Sequence, residues 1–99
     1  MKKRQTFIGW NYAKKLIYEY GKPTDNRLKE YQQKAIQEAI SKTQCLENGK
    51  DILSFLDLVF WKQNLKITDA CMICGIDQIT GKHWHTDFIR LVCANLDLS

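Results

Sequence analysis

The sequence predicts an all-α fold, and three observations support that prediction. Apolar residues recur at a spacing near 3.6 along most of the chain, which is the period of a helix with one buried face. One Pro and five Gly in 99 residues leave few turns, which favours a few long helices over many short strands. The length is that of one small domain, and 44% hydrophobic and 26% charged residues are typical of a globular protein.

Two helices are predicted in residues 1–49 of a single domain that covers residues 1–99. Trp10–Tyr20 has apolar residues at helical spacing, and Gly21 and Pro23 end it. Arg27–Leu46 carries a longer apolar stripe, with most charged residues off it. The predicted ends of this second helix are Thr24, Asp25 or Asn26 as the cap and Asn48-Gly49 as the stop. The stripe packs inside the monomer or pairs with a second copy, and the sequence leaves both uses open.

A third helix is predicted from Asp51 to Trp61, with Asp51 as its N-cap. It is apolar nearly all round, so we expect it to be the most buried helix. Lys62 to Asn64 closes it, and a short connector follows. This helix begins the unit that we predict over residues 50–99.

The following stretch has the pattern of a helix-turn-helix. Thr68 is a good N-cap for a short helix, Asp69–Cys74. Gly75 stands where the chain turns sharply, because glycine adopts a positive φ at little steric cost. Asp77 then caps the last predicted helix, Gln78–Ala94. With the third helix, these elements predict a C-terminal three-helix helix-turn-helix unit.

Helical spacing divides the last helix into two faces. The inner face consists of Gly81, Trp84, Phe88, Leu91 and Val92, and the outer face of Gln78, Ile79, Lys82, His83, Thr86 and Arg90. Early positions of a recognition helix face base edges and phosphates in the major groove. The predicted DNA-binding residues are therefore Gln78, Ile79, Thr80, Lys82, His83, Thr86 and Arg90, preceded by Lys62, Lys66 and Thr68. Among them, Lys62, Lys66, Lys82 and Arg90 are expected at phosphates, and Gln78, Lys82 and His83 at bases.

A zinc site is the main alternative interpretation of the same stretch. Cys71-x-x-Cys74 has the spacing of a zinc knuckle, and further ligands would come from His83, His85 or Cys93. The function would then be that of a zinc-finger binder or of a metal-dependent nuclease of the HNH type. Three features favour the helical interpretation: the second half lacks its own ligand pair, an apolar stripe runs through it, and residues two apart diverge on a helix. We predict no metal and no cofactor, and no other catalytic pattern appears, so we predict a protein that is not an enzyme.

The charge of the chain is concentrated at its N-terminal end. The net charge is +4, and residues 1–34 hold nine Lys or Arg against three Asp or Glu. Such an excess is compatible with phosphate contact, although many charged faces are only solvated. No apolar run reaches the length of a membrane span, and no apolar segment follows the basic start as in a secretory signal. We expect no membrane partner and a cytoplasmic location, with cysteines that are reduced thiols or metal ligands and do not form disulfides.

The C-terminal half resembles a known family. The residues that support the resemblance are Leu58-Val59-Phe60-Trp61-Lys62, Ile67-Thr68-x-Ala70, and the run from Gly75-Ile76-Asp77 through Thr80-Gly81-Lys82-x-Trp84-His85-x-Asp87-Phe88-Ile89-Arg90 to Val92. They resemble the C-terminal helix-turn-helix of phage late-gene transcriptional regulators of the RinA/ArpU type, which is similar to region 4 of sigma factors. The resemblance covers about the last 45 residues. It implies sequence-specific DNA binding and control of late or packaging genes in a bacterial host cell.

The resemblance also implies roles for single positions. Gln78, Lys82, His83 and Thr86 would face DNA, while Trp84 and Phe88 would hold the helix in place. Double-stranded DNA is then the main partner, and RNA polymerase and a second copy of the chain are further candidates. The alternative from a different class is a protein-interaction module, in which the stripe of the second helix binds RNA polymerase or a packaging protein.

Overall fold

The computed structural model describes residues 9–21 and 28–96, and these residues are all-helical. The α-helices within these ranges are α1 Trp10–Tyr20, α2 Glu30–Gln44, α3 Gly49–Leu56, α4 Ile67–Cys74 and α5 Gln78–Asn95. A π-helical segment, Asp57–Lys62, continues α3 without a break. Neither described range contains a β-strand, so the all-α prediction is confirmed. None of these helices is both long and apolar enough to cross a bilayer.

The longest helix, α5, is the element on which the other four α-helices pack. It has 18 residues, and α1, α2, α3 and α4 all contact it. Phe88, Ile89, Val92 and Cys93 on its buried side are at most 2% exposed. The core therefore lies along one side of α5, and that side holds the helix in a fixed orientation.

A group of aromatic rings joins α1, the π-helical segment and α5. The Phe60 ring meets Tyr18 edge-on, with centroids 5.0 Å apart, and the Phe88 ring lies 6.1 Å from Trp61 in a T-shaped pair. The Trp61 indole N–H donates to the Ile17 carbonyl at 2.6 Å, so its polar group is satisfied. These contacts connect α1 with α5 through the π-helical segment.

The third predicted helix corresponds to α3 together with the π-helical segment, with two corrections. The helix begins at Gly49 after Asn48, so Asp51 lies in the first turn and is not the cap. Its burial is also incomplete, because Asp51 and Ser54 lie on a solvent-exposed side, whereas Ile52, Phe55 and Leu56 are buried. The π-helical segment ends at Lys62, and the Leu65 N–H then donates to the Leu58 carbonyl at 3.0 Å. The closure predicted at Lys62 to Asn64 is confirmed.

The apolar stripe of α2 packs inside the monomer. Ala35, Ile36 and Ala39 are at most 3% exposed, and the Asn95 side chain of α5 donates to the Ala35 carbonyl at 2.8 Å. The prediction that α2 ends at Asn48-Gly49 is wrong, because α2 ends at Gln44. Thr43, near the end of α2, is buried, whereas Leu46, beyond that end, is exposed. The caps predicted at residues 24–26 lie outside the described residues.

Candidate nucleic-acid interface

The turn between α4 and α5 depends on Gly75. Its φ of 71° lies in the left-handed region, which a residue with a Cβ atom rarely adopts. The Ile76 N–H donates to the Cys71 carbonyl at 3.0 Å, which satisfies a group at the end of α4. The half-buried Ile76 then packs against the core. The chain needs only Gly75, Ile76 and Asp77 to pass from one helix to the next.

Asp77 caps α5 as the sequence predicts. Its Oδ1 accepts a hydrogen bond from the Thr80 backbone N–H at 2.7 Å. This bond, together with one from the Thr80 side chain, lowers the pKa of the Asp77 carboxyl, so the group is ionised at neutral pH. A negative charge therefore already occupies the start of α5, where the helix dipole favours an anion.

The start of α4 differs from its prediction. Thr68 was the expected cap, but Lys66 has the extended backbone (φ −65°, ψ 153°) and α4 begins at Ile67. Thr68 is therefore a residue of the first turn. Thr68, Lys62 and Lys66 are all exposed, so each is accessible to a ligand.

The two helices cross closely at Gly81. A Cβ atom on Gly81 would overlap the Sγ of Cys71 on α4 and would lie 3.1 Å from Cζ of Phe55 on α3. Ala70 and Cys71 are at most 2% exposed at this crossing. Gly81 therefore stands where α4 and α5 approach too closely for a Cβ atom.

The buried face of α5 includes more residues than the predicted inner face. Trp84 packs edge-on against Phe55, with centroids 5.8 Å apart, and Phe88 lies in the aromatic group. His85 was not assigned to this face, yet it is 8% exposed and its ring stacks on Phe60 at 5.1 Å and 6°. Burial, and secondarily the charge of Lys14, lowers the pKa of His85 to about 4. His85 is thus a neutral core residue at physiological pH.

The outer face of α5 is free of the core. Gln78, Ile79, Lys82, His83 and Arg90 are exposed, and Thr86 is partly exposed. Thr80, the remaining predicted contact on this helix, is partly exposed and its N–H is bonded to the Asp77 cap. The structure therefore brings six predicted residues of one helix onto one accessible surface.

Part of this face lines a shallow hollow of about 300 Å³, which we call the outer hollow. Its lining residues are Lys82, His83, Thr86, Asp87 and Arg90. Asp87 is the one that the sequence reasoning missed. Helical spacing would have placed Asp87 beside His83, four residues before it, and Arg90, three residues after it. The outer hollow therefore combines two cations and a carboxylate with hydrogen-bonding groups, which suits a polar ligand that carries both phosphates and donor groups.

The residues of the zinc interpretation do not form one cluster. Cys71 is buried at the α4–α5 crossing, His83 is on the outer face, and His85 is stacked on Phe60. Burial raises the pKa of the thiols of Cys71, Cys74 and Cys93, so the metal-free protein holds all three in the protonated form at neutral pH. Within residues 9–21 and 28–96, no three His, Cys, Asp or Glu side chains form a group that could hold a metal ion.

No protein-family model matches this chain, and no curated protein and no solved structure matches it significantly.

Proposed function

We propose that this protein is a sequence-specific, double-stranded DNA-binding transcriptional regulator without enzymatic activity. In this proposal α4 and α5 form a helix-turn-helix, and the outer face of α5 enters the major groove. The sequence resemblance extends the proposal to a phage or prophage regulator of late or packaging genes, acting in the cytoplasm of a bacterial host cell.

The observation that supports this proposal best is the contrast between the two sides of α5. One side is buried against four helices, and the opposite side presents Gln78, Lys82, His83 and Arg90 to solvent. A reading helix must be held rigidly, because a hydrogen bond to a base edge requires a fixed direction. The sharp turn at Gly75 and the close crossing at Gly81 supply that rigidity at the end that would enter the groove.

The charge of the outer hollow sets how DNA would be held. Lys82 and Arg90 are eight residues apart, which is about 12 Å along the helix. That separation allows contacts with different phosphates, each of which releases condensed counterions. Asp87 lies between them and repels phosphate, so the two cations are expected to face the DNA backbone on either side of it.

The test is binding to random-sequence duplex DNA, measured by fluorescence anisotropy over a range of salt concentrations. Binding should weaken with salt with a log–log slope of about −0.9 for each neutralised phosphate. Lys82→Ala should make that slope shallower by about 0.9. Lys42→Ala, a matched change on the exposed side of α2, should leave it unchanged. Salt-independent binding, or equal slopes for both variants, would contradict the proposed interface.

The proposed regulator binds DNA either as a homodimer or as a monomer, and the length of its footprint on DNA distinguishes the two. A homodimer would protect two half-sites about one helical turn apart, and a monomer that acts beside RNA polymerase would protect one. The α2 stripe is buried in the monomer, so a dimer would need another surface. For the same reason that stripe offers little to the alternative function, a protein-interaction module that docks on RNA polymerase or a packaging protein.

A further inference from the structure

Ile79 is an apolar residue on an otherwise polar surface. Its side chain is 71% exposed, and it is the one large apolar residue of α5 that is exposed to solvent. Ile89, on the same helix, is completely buried. An apolar side chain is unfavourable in water, so covering Ile79 with a bound partner would make the free energy of binding more favourable.

The position of Ile79 places it at the end of the outer face that the proposed function directs into the groove. It is the second residue of α5, beside the exposed Gln78. His83 follows four residues later and Lys82 three residues later, so all three side chains lie on one side of the helix. The first turn of a recognition helix is the part that reaches base edges.

The major groove offers one apolar group to such a side chain, the C5-methyl of thymine. In the same groove, the amide of a glutamine bonds to N6 and N7 of adenine with two hydrogen bonds. Given the proposed function, we infer that Gln78 and Ile79 read A·T base pairs, with Ile79 in contact with a thymine methyl group. The inference therefore predicts A·T base pairs in the target site at the positions that the first turn of α5 contacts.

The exposed Met72 and Ile73 of α4 suggest a competing use, in which Ile79 belongs to an apolar surface for a protein. The centre of a protein–protein interface is depleted in charged residues. Ile79 instead lies within one turn of Lys82 and beside Gln78, whose groups suit phosphates and bases. The neighbours of Ile79 therefore favour DNA.

The experiment begins with selection of bound sequences from a random duplex library by the full chain. Each thymine of the selected site is then replaced singly by deoxyuridine, which removes only the methyl group. The wild-type protein should lose about fourfold in affinity at one or two of these positions, the value expected for one buried methyl group. Ile79→Ala should bind less tightly and should no longer distinguish thymine from deoxyuridine there.

Arg90→Ala is the control, because loss of a proposed phosphate contact should weaken binding to every sequence alike and keep the thymine preference. Equal sensitivity to deoxyuridine in wild type and Ile79→Ala would overturn the inference while leaving DNA binding intact. Loss of a protein complex in Ile79→Ala, with unchanged DNA affinity, would assign the residue to the competing apolar surface. Absence of any enriched duplex would remove the proposed function and the inference together. Circular dichroism of each variant confirms that it is folded.

Discussion

His83 and His85 stand two residues apart on α5 and have opposite environments. His83 is exposed beside Lys82 in the outer hollow, whereas His85 is 8% exposed and stacked on Phe60. Successive residues of a helix are rotated by about 100° around its axis, so two residues that are two positions apart point to roughly opposite sides. The same residue type therefore belongs to the candidate interface in one case and to the core in the other.

This difference gives the two sides of α5 separable roles. Changes on the inner side should alter stability, because they disturb close packing. Changes on the outer side should alter DNA affinity and leave stability nearly unchanged, since exposed substitutions usually cost within about 0.5 kcal/mol. Each prediction below tests whether this separation holds.

The largest effect is expected from removal of the central aromatic ring of the inner side. Phe88→Ala would leave a cavity between Phe60 and Trp61 and should cost about 3–5 kcal/mol in the free energy of unfolding. Lys82→Ala on the outer side is the comparison, with an expected cost of at most about 0.5 kcal/mol. Urea unfolding followed by circular dichroism measures both. Similar losses in the two variants would mean that α5 is not divided in this way.

The next effect is the pH dependence that His85 causes. Its pKa of about 4 in the folded protein lies below the value near 6.5 in an unfolded chain. The unfolded state therefore binds a proton between about pH 6.5 and 4 that the folded state does not. Stability from this residue is complete above pH 6.5 and falls as the pH drops, by about 3 kcal/mol near pH 4. Unfolding measured between pH 7 and pH 4 tests this.

Two variants separate His85 from the other groups that titrate in the same range. His85→Phe keeps a flat ring against Phe60 and should flatten the pH dependence. Thr86→Ala, the neighbouring change towards the outer side, removes no titrating group and should keep the wild-type dependence. A His85→Phe protein with an unchanged slope would place the titration elsewhere in the molecule.

A smaller effect is expected at the crossing of α4 and α5. Gly81→Ala should cost about 1–3 kcal/mol, because its methyl group overlaps Sγ of Cys71 and approaches Phe55. The higher helix propensity of alanine offsets part of this cost, by up to about 1 kcal/mol. Adding Cys71→Ala removes the overlapping sulfur and should recover part of the lost stability. A double-mutant cycle from thermal unfolding would show this coupling, and strictly additive losses would argue against direct contact.

The sequence predicts most of this division because the signals are local. Asp77 caps α5 through a bond to a residue three positions away, and Gly75 adopts a backbone that few other residues allow. The exposed residues of α5 follow directly from helical spacing. Local rules of this kind require no knowledge of the other helices.

The features that the sequence did not predict depend on neighbours distant in the chain. His85 and Cys93 are buried because four helices pack on the inner side of α5. The buried face of α5 is therefore wider than the predicted inner face. The helix α2 ends at Gln44, one residue after the buried Thr43, although the apolar pattern continues to Leu46. The π-helical segment has no sequence signal of its own, and it accompanies the packing of Phe60 against α1 and α5. Tertiary contacts decide each of these points.

The smallest predicted effect concerns an exposed residue that should nevertheless matter for stability. Asp77→Ala removes the hydrogen bond to the Thr80 N–H and should cost about 1 kcal/mol in the free energy of unfolding. Thr68→Ala is the matched control, because the sequence predicts a cap there and the structure places Thr68 inside the first turn of α4. Its expected change is within about 0.5 kcal/mol, since no cap is lost. Urea unfolding at pH 7 compares the two, and an equal loss in both would mean that Thr68 also caps its helix. A loss confined to Asp77→Ala would show that the outer side of α5 contributes to stability through the backbone at its first turn.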